Sequence, residues 1–178
     1  MLTKNQLRIK ILPEEKKDFE DINKLLIDAF KNEKHSNHDE HLLAKKLRKS
    51  SSHLPRLTLT AKISNELVGF IIFTKAYIRN YEVLALAPLA VSHKYQNQKI
   101  GTFLVNYSHG ITEKYGYTHS IVLGNSKYYS CFDYKNADTL GIKNPFDVSN
   151  DYFMVKVLNN SNKHFNNTIT YDNSFYEL

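Results

Sequence analysis

Leu86-Ala87-Pro88-Leu89-Ala90-Val91-Ser92-His93-Lys94-Tyr95-Gln96-Asn97-Gln98-Lys99-Ile100-Gly101-Thr102 joins an apolar run to a short polar loop and then to an amphipathic pattern. The apolar run reads as a strand over 82–91. From Ile100 the apolar residues Ile100, Leu104, Tyr107, Ile111 and Tyr115 recur at three- and four-residue steps, which predicts a helix over 100–115 closed by Gly116. The first turn of a helix holds backbone N–H groups with no helical carbonyl ahead of them, at the positive end of the helix dipole. With a residue as small as Gly101 there, backbone donors can close around a phosphate. The unit is anion-ready on local physics, although many strand–loop–helix units are structural only. Residue types exclude two nucleotide-binding patterns, since there is no Gly-x-Gly-x-x-Gly and no Gly-Lys-Ser/Thr.

Outward from this stretch the chain alternates strands and helices. Residues 7–11 alternate apolar and polar, a half-buried strand that Pro13 ends. Phe19, Ile22, Leu25, Leu26, Ala29 and Phe30 fall at helical spacing, and a second helix is expected over 39–49 with Asn37 as its cap. Two β-rich runs, 57–63 and 67–78, flank Ser64-Asn65-Glu66 and predict a hairpin. After the helix of 100–115 come a buried strand at 120–123, one or two helical turns over 127–132 and a strand at 153–157. Gly110, inside a helix, suggests close packing there. The asparagine-rich residues 159–178 are expected to be a loop or loosely docked tail behind a single domain, 1–158. The order is β-α-α-β-β-β-α-β-α-β, a mixed α/β or α+β domain.

The chain has 178 residues, a net charge of +6 and one cysteine, Cys131. That length suits one domain with a real core. A single cysteine excludes an intramolecular disulfide and any multi-cysteine metal site. With no apolar leader and no run of membrane-spanning length, a soluble cytoplasmic protein is expected. The basic balance admits nucleic acid, an anionic membrane or a polyphosphorylated small molecule as partner. Lys45-Lys46-Leu47-Arg48-Lys49, the densest basic group, reads as the solvated face of a helix. No aromatic-basic interleaving accompanies it, so a nucleic-acid partner is not expected. His35, His38 and His41 are spaced by three without a carboxylate motif and read as structural or surface histidines, with no metal expected. Cys131 reads as a small buried hydrophobe.

Gln96-Asn97-Gln98-Lys99-Ile100-Gly101 resembles the pyrophosphate loop of GNAT acetyltransferases, Gln/Arg-x-x-Gly-x-Gly/Ala, with Lys99 at the first glycine. A side chain there hinders close backbone approach or demands a different dihedral, and it also brings a cation. The resemblance extends from about residue 7 to 158. Together with Tyr115-Gly116-Tyr117, Ile121-Val122-Leu123-Gly124-Asn125 and Tyr128-Tyr129-Ser130-Cys131-Phe132-Asp133-Tyr134, the chain is similar to the YhbS-like group, where Gly-Phe usually stands in place of Asp133-Tyr134.

That resemblance implies a GNAT fold, with a mostly antiparallel sheet whose fourth strand is bulged and splays from the fifth near Pro88. It implies acetyl-CoA as co-substrate, held by Leu89, Ala90 and Val91 along the strand, by Gln96, Asn97, Gln98, Lys99, Ile100, Gly101 and Thr102 in the loop, and by Asn125, Tyr128 and Phe132. The implied reaction is direct attack of a primary amine, on a small molecule or a peptide, in a ternary complex. It needs an amine freed of its proton, an oxyanion donor near Ala90 or Val91, and a leaving thiolate. Tyr129 is the implied general acid, four residues before Asp133. Glu82 and His93 flank the strand as alternative bases, acting directly or through water. The acceptor pocket is expected between the first two helices, the segment after Phe73 and the late hairpin, with Tyr77, Tyr81 and Phe146 as aromatic candidates. The alternative is a non-catalytic acyl-CoA sensor or scaffold, and either would be a monomer or homodimer.

Overall fold

In the computed structural model the described residues are 8–33 and 36–177. Strand β1 (Ile9–Pro13) leads into α1 (Phe19–Phe30) and α2 (Glu40–Leu47). A three-strand meander follows, β2 (His53–Ile63), β3 (Glu66–Ile78) and β4 (Tyr81–Val91). Ser64 and Asn65 make its first turn with φ of +48° and +70°, the left-handed pair that a tight hairpin needs. Helix α3 (Ile100–Lys114) crosses to β5 (His119–Leu123), parallel to β4. Then come α4 (Ser126–Tyr129), β6 (Lys135–Asn136), β7 (Ile142–Lys143), β8 (Phe153–Val157) and β9 (Asn167–Thr170). The sheet runs β1-β2-β3-β4-β5-β8-β6, with β9 joining β3 and β7.

Strand periodicity divides the core between the two faces. Ile71, Phe73, Leu84 and Leu86 face α3 and pack with its Ile100, Leu104 and Val105. Phe70, Ile72 and Ala90 face the other way, onto Ile22, Leu25 and Leu26 of α1 and Leu43 and Leu47 of α2. On that same face Ala76, Ile78, Val83 and Ala85 pack with Ile169 and Tyr171.

Four expectations are corrected. The asparagine-rich end is no loose tail: Tyr77 and Ile78 of β3 pair with Thr170 and Ile169. Strand β2 pairs with β3 only as far as Thr74, so the rest of that β3 edge is bare, and β9 covers it. The first turn of α2 is preceded by Asp39, not Asn37, and the Asp39 side chain makes no capping bond. The buried face of α3 is centred on Gly101, Ser108 and Thr112, whereas Tyr107 is 50% exposed. Small residues at its centre let the helix settle close to the sheet, where a Cβ on Gly69 would stand 2.9 Å from Leu104 Cδ1. Gly110 is exposed, and a Cβ there would meet nothing within 4 Å. Gly110→Ala therefore raises stability by about 1 kcal/mol in denaturant titration; a loss would mean that the backbone there needs glycine.

Candidate active site

Strands β4 and β5 pair at Leu84–Ser120, Ala85–Ile121 and Leu86–Val122, and then part. On the β4 side Ile71 opposes Leu89 while Phe73 opposes Leu86, so Ala87-Pro88 holds one extra residue, a β-bulge. Pro88 has no N–H to give a ladder. On the other side β5 follows β8 to its end, through Leu123–Phe153 and the Gly124 N–H donating to Tyr152 O at 2.8 Å. The result is a cleft with the bare edge of Leu89–Val91 as one wall.

Which backbone groups line it follows from the ladder. The Ser92 N–H donates to Val68 O at 2.9 Å, and the register continues through Phe70–Ala90. Hydrogen-bonding pairs alternate along an antiparallel ladder, so Ala90 turns its N–H and C=O to β3, and Leu89 and Val91 turn theirs to the cleft. Of the three strand residues expected to meet the cofactor, Ala90 is thus already committed.

The loop after β4 is pinned by Tyr95 Oη and Lys94 Nζ to Glu66, at 2.6 and 3.4 Å, and Gln96 Nε2 donates back to Val91 O at 3.4 Å. Gln96, Asn97, Gln98 and Lys99 are exposed. Asn97 and Lys99 have φ of +61° and +63°, so Lys99 adopts the left-handed conformation that its glycine counterpart would supply. The Phe103 N–H reaches Lys99 O at 2.9 Å, which leaves the N–H groups of Ile100, Gly101 and Thr102 without a helical acceptor. At Gly101 a Cβ would collide with the Tyr128 hydroxyl and lie 3.6 Å from Val91 Cγ2. The end of β4, the first turn of α3 and α4 therefore converge on one residue with no side chain.

Across the cleft, Asn125 Oδ1 accepts the Tyr128 N–H at 3.2 Å and caps α4. Tyr129 is buried in the cluster that contains Leu86 and Val122, the last β4–β5 pair, and its ring presses on Gly124, where a Cβ would stand 2.5 Å from Tyr129 Cε2. Burial, with the Tyr134 and Tyr128 rings beside it, pushes the Tyr129 hydroxyl pKa well up, so it keeps its proton. Phe132 is buried against Tyr128 at 5.2 Å between centroids. Asp133, at the second expected glycine, has φ of +65°, and Lys156 Nζ reaches it at 3.3 Å. Behind Tyr129, Tyr134 Oη sits 2.6 Å from Ser120 Oγ and 3.2 Å from His109 Nε2. Burial takes the His109 pKa down to about 4, which keeps the ring neutral. Sequence gave no warning of this triad beyond the polar residues at 108, 109 and 112.

Other candidates fall outside the cleft. Glu82 accepts from Tyr77 Oη at 3.2 Å and pairs with Lys75 at 3.3 Å. Five residues separate it from Ala87, roughly 17 Å at about 3.3 Å per strand residue. His93 is exposed, with Nε2 on Asp28 O at 2.9 Å. Tyr81 packs on His119 and Phe165, away from the splay. His38 Nδ1 donates to Phe30 O at 2.8 Å, and His35 lies outside the described residues. Cys131 is exposed, not buried, because Tyr129 and Phe132, three apart on the helical turns, take the inward face.

The crowding at Gly101 is testable. Gly101→Ala should lower stability by about 1–3 kcal/mol through overpacking, and Tyr128→Phe in the same chain should return most of it. An equal penalty in both backgrounds would show that Tyr128 is not the obstacle.

The model of the acetyltransferase (GNAT) family matches residues 19–130. No curated protein matches the sequence. Among solved structures, the GNAT family N-acetyltransferase YhbS of Escherichia coli, in complex with CoA, superposes with a TM-score of 0.85 at 22% identity, over 100% of this chain and 97% of that one. A GNAT family acetyltransferase of Brucella melitensis, in complex with acetyl-CoA, gives 0.79 at 21% identity over 96% and 99%. A GNAT family acetyltransferase of Staphylococcus aureus Mu50 gives 0.62 at 19% identity over 84% and 99%. The chain is therefore a member of the GNAT acetyltransferase family with the GNAT fold.

Proposed function

We propose that the chain binds acetyl-CoA along the open edge of β4 and moves the acetyl group to a primary amine. The observation that carries this is the cleft-facing backbone of Leu89 and the Val91 N–H, beyond the last β4–β5 pair, lying beside the first-turn N–H groups of α3 that have no helical acceptor. A chain of amides ending in phosphates matches that pair of surfaces, one as an added strand and the other as an anion site. The Tyr128 hydroxyl lies beside Gly101 at that anion site, and Asn125, which caps α4, is the polar side chain assigned to the amides.

Acetyl-CoA supplies a thioester whose carbonyl carbon forms the new C–N bond as the C–S bond breaks and sulfur keeps the electron pair. The Val91 N–H is the donor to the carbonyl oxygen, where negative charge grows. Tyr129 serves the sulfur. Its raised pKa stands above a thiol's ordinary value of about 8.5, so proton transfer to the thiolate is uphill and the hydroxyl acts as a hydrogen-bond donor. The amine proton passes to water in the cleft, since Glu82 is remote and His93 is turned to Asp28. The acceptor amine belongs to a small molecule or a peptide. The cytoplasm is our assignment for the reaction, where reducing conditions would keep the exposed Cys131 thiol free.

The sensor reading draws on Lys99 and Asp133 at two glycine positions. Both keep the left-handed backbone, which supports cofactor binding in either reading. Thermal shift with acetyl-CoA and thiol release against a panel of amines separate the two. Tyr129→Phe is expected to lower kcat by about 10- to 100-fold with acetyl-CoA affinity unchanged; an unaltered kcat removes Tyr129 from the chemistry. Stabilisation without thiol release on any amine would favour the sensor.

A further inference from the structure

The buried polar groups that the transfer leaves unused stand behind Tyr129. Tyr134, Ser120 and His109 are 2%, 0% and 6% exposed, and they come from three separate parts of the fold. Ser120 lies on β5, His109 on the buried side of α3, and Tyr134 just before β6. Tyr134 Oη is 2.6 Å from Ser120 Oγ and 3.2 Å from His109 Nε2, so one hydroxyl joins β5 to α3. A phenylalanine, expected at 134 from the resemblance, would make neither bond and would leave both partners unmet in a buried place.

The turn that brings Tyr134 back behind Tyr129 is held from the sheet. Asp133 takes φ of +65°, and Lys156 Nζ donates to Phe132 O at 2.8 Å and reaches the Asp133 carboxylate at 3.3 Å. Lys156 is the cross-strand partner of Ser120. Side chains opposite one another share a face, so this one β5–β8 pair holds the turn with Lys156 and the Tyr134 hydroxyl with Ser120. Tyr134 in turn meets Tyr129 twice. Its N–H donates to Tyr129 O at 3.3 Å, and its ring stands edge-on to the Tyr129 ring at 67°, with centroids 5.5 Å apart. Tyr128 is edge-on to Tyr129 as well, at 5.1 Å and 87°. Among the described residues none hydrogen-bonds the Tyr129 hydroxyl, so packing of the ring fixes where that donor lies.

We infer that Tyr134 is a positioning residue for the transfer step: anchored by Ser120 and His109, it holds the Tyr129 hydroxyl at the point where the sulfur leaves. The inference rests on the reading of Tyr129 given above. A donor moved off that point loses its effect on the transition state while acetyl-CoA and amine still bind. The signature is a lower kcat with KM kept.

The test measures thiol release by the full chain with acetyl-CoA and whichever of phenethylamine, spermidine, glucosamine and alanine the parent uses fastest. Tyr134→Phe should lower kcat about 5- to 20-fold, with KM and acetyl-CoA affinity kept. In a Tyr129→Phe background the same change should lower kcat by less than about twofold, because the hydroxyl being positioned is gone. A residue that merely supports the fold would cost the same in both backgrounds. Ser120→Ala cuts the anchor from β5 and leaves Tyr134 in place. It should give a smaller loss of the same pattern, and it carries the comparison should Tyr134→Phe not fold. Parental kcat, an equal loss in both backgrounds, or a loss of acetyl-CoA affinity matching the loss of kcat would each overturn the inference alone. If Tyr129→Phe by itself left kcat unaltered, or no amine released thiol, the reading of Tyr129 would fall and the inference with it.

Discussion

The separation of β4 from β5 after Leu86–Val122 is the constraint on which the rest depends. Parallel neighbours normally keep their ladder, because an unpaired strand edge inside a domain leaves polar groups unmet. Here Pro88 cannot donate, the bulge at Ala87-Pro88 turns β4, and β5 holds to β8 through Leu123 and Gly124. Each strand has a stronger commitment elsewhere, so the gap is built into the fold. Everything proposed for the site takes its position from that gap: the cleft-facing groups of Leu89 and Val91, the α3 turn beyond them and Tyr129 at the apex.

The walls of the gap meet at Gly101, which has room for the Tyr128 hydroxyl because it has no side chain. Two flanking positions show the reverse tolerance. Lys99 and Asp133 stand where the resemblance leads one to expect glycine, yet both take left-handed φ. A left-handed non-glycine residue costs about 1–2 kcal/mol. The surrounding contacts hold the backbone shape against that cost, and at Asp133 the Lys156 ammonium lies beside the carboxylate. In the phosphate loop the left-handed backbone is therefore present at Lys99 without its glycine, and Gly101 keeps the second one.

Much of this was legible in the chain. The strand–loop–helix unit at 86–102, the hairpin at Ser64-Asn65 and the inward stripe of α1 all follow from local periodicity and turn chemistry. What escaped was set by distant partners. Strand β9 exists because β2 leaves the far edge of β3 uncovered, which no pattern in residues 159–178 announces. The centre of the buried face of α3 is Gly101, Ser108 and Thr112, small residues that a search for large apolar side chains passes over in favour of Tyr107. Glu82 looked close to the site because it flanks the right strand, but it lies toward that strand's opposite end. The choice of Leu89 and Val91 over Ala90 needed the register against Val68 and Phe70.

Amide hydrogen exchange across 89–91 tests the open-edge account most directly. In the free protein the Ala90 amide should be protected, and the Leu89 and Val91 amides should exchange fast; saturating acetyl-CoA should then protect both. Leu89 and Val91 already protected in the free protein, or still exchanging fast with acetyl-CoA bound, would contradict it.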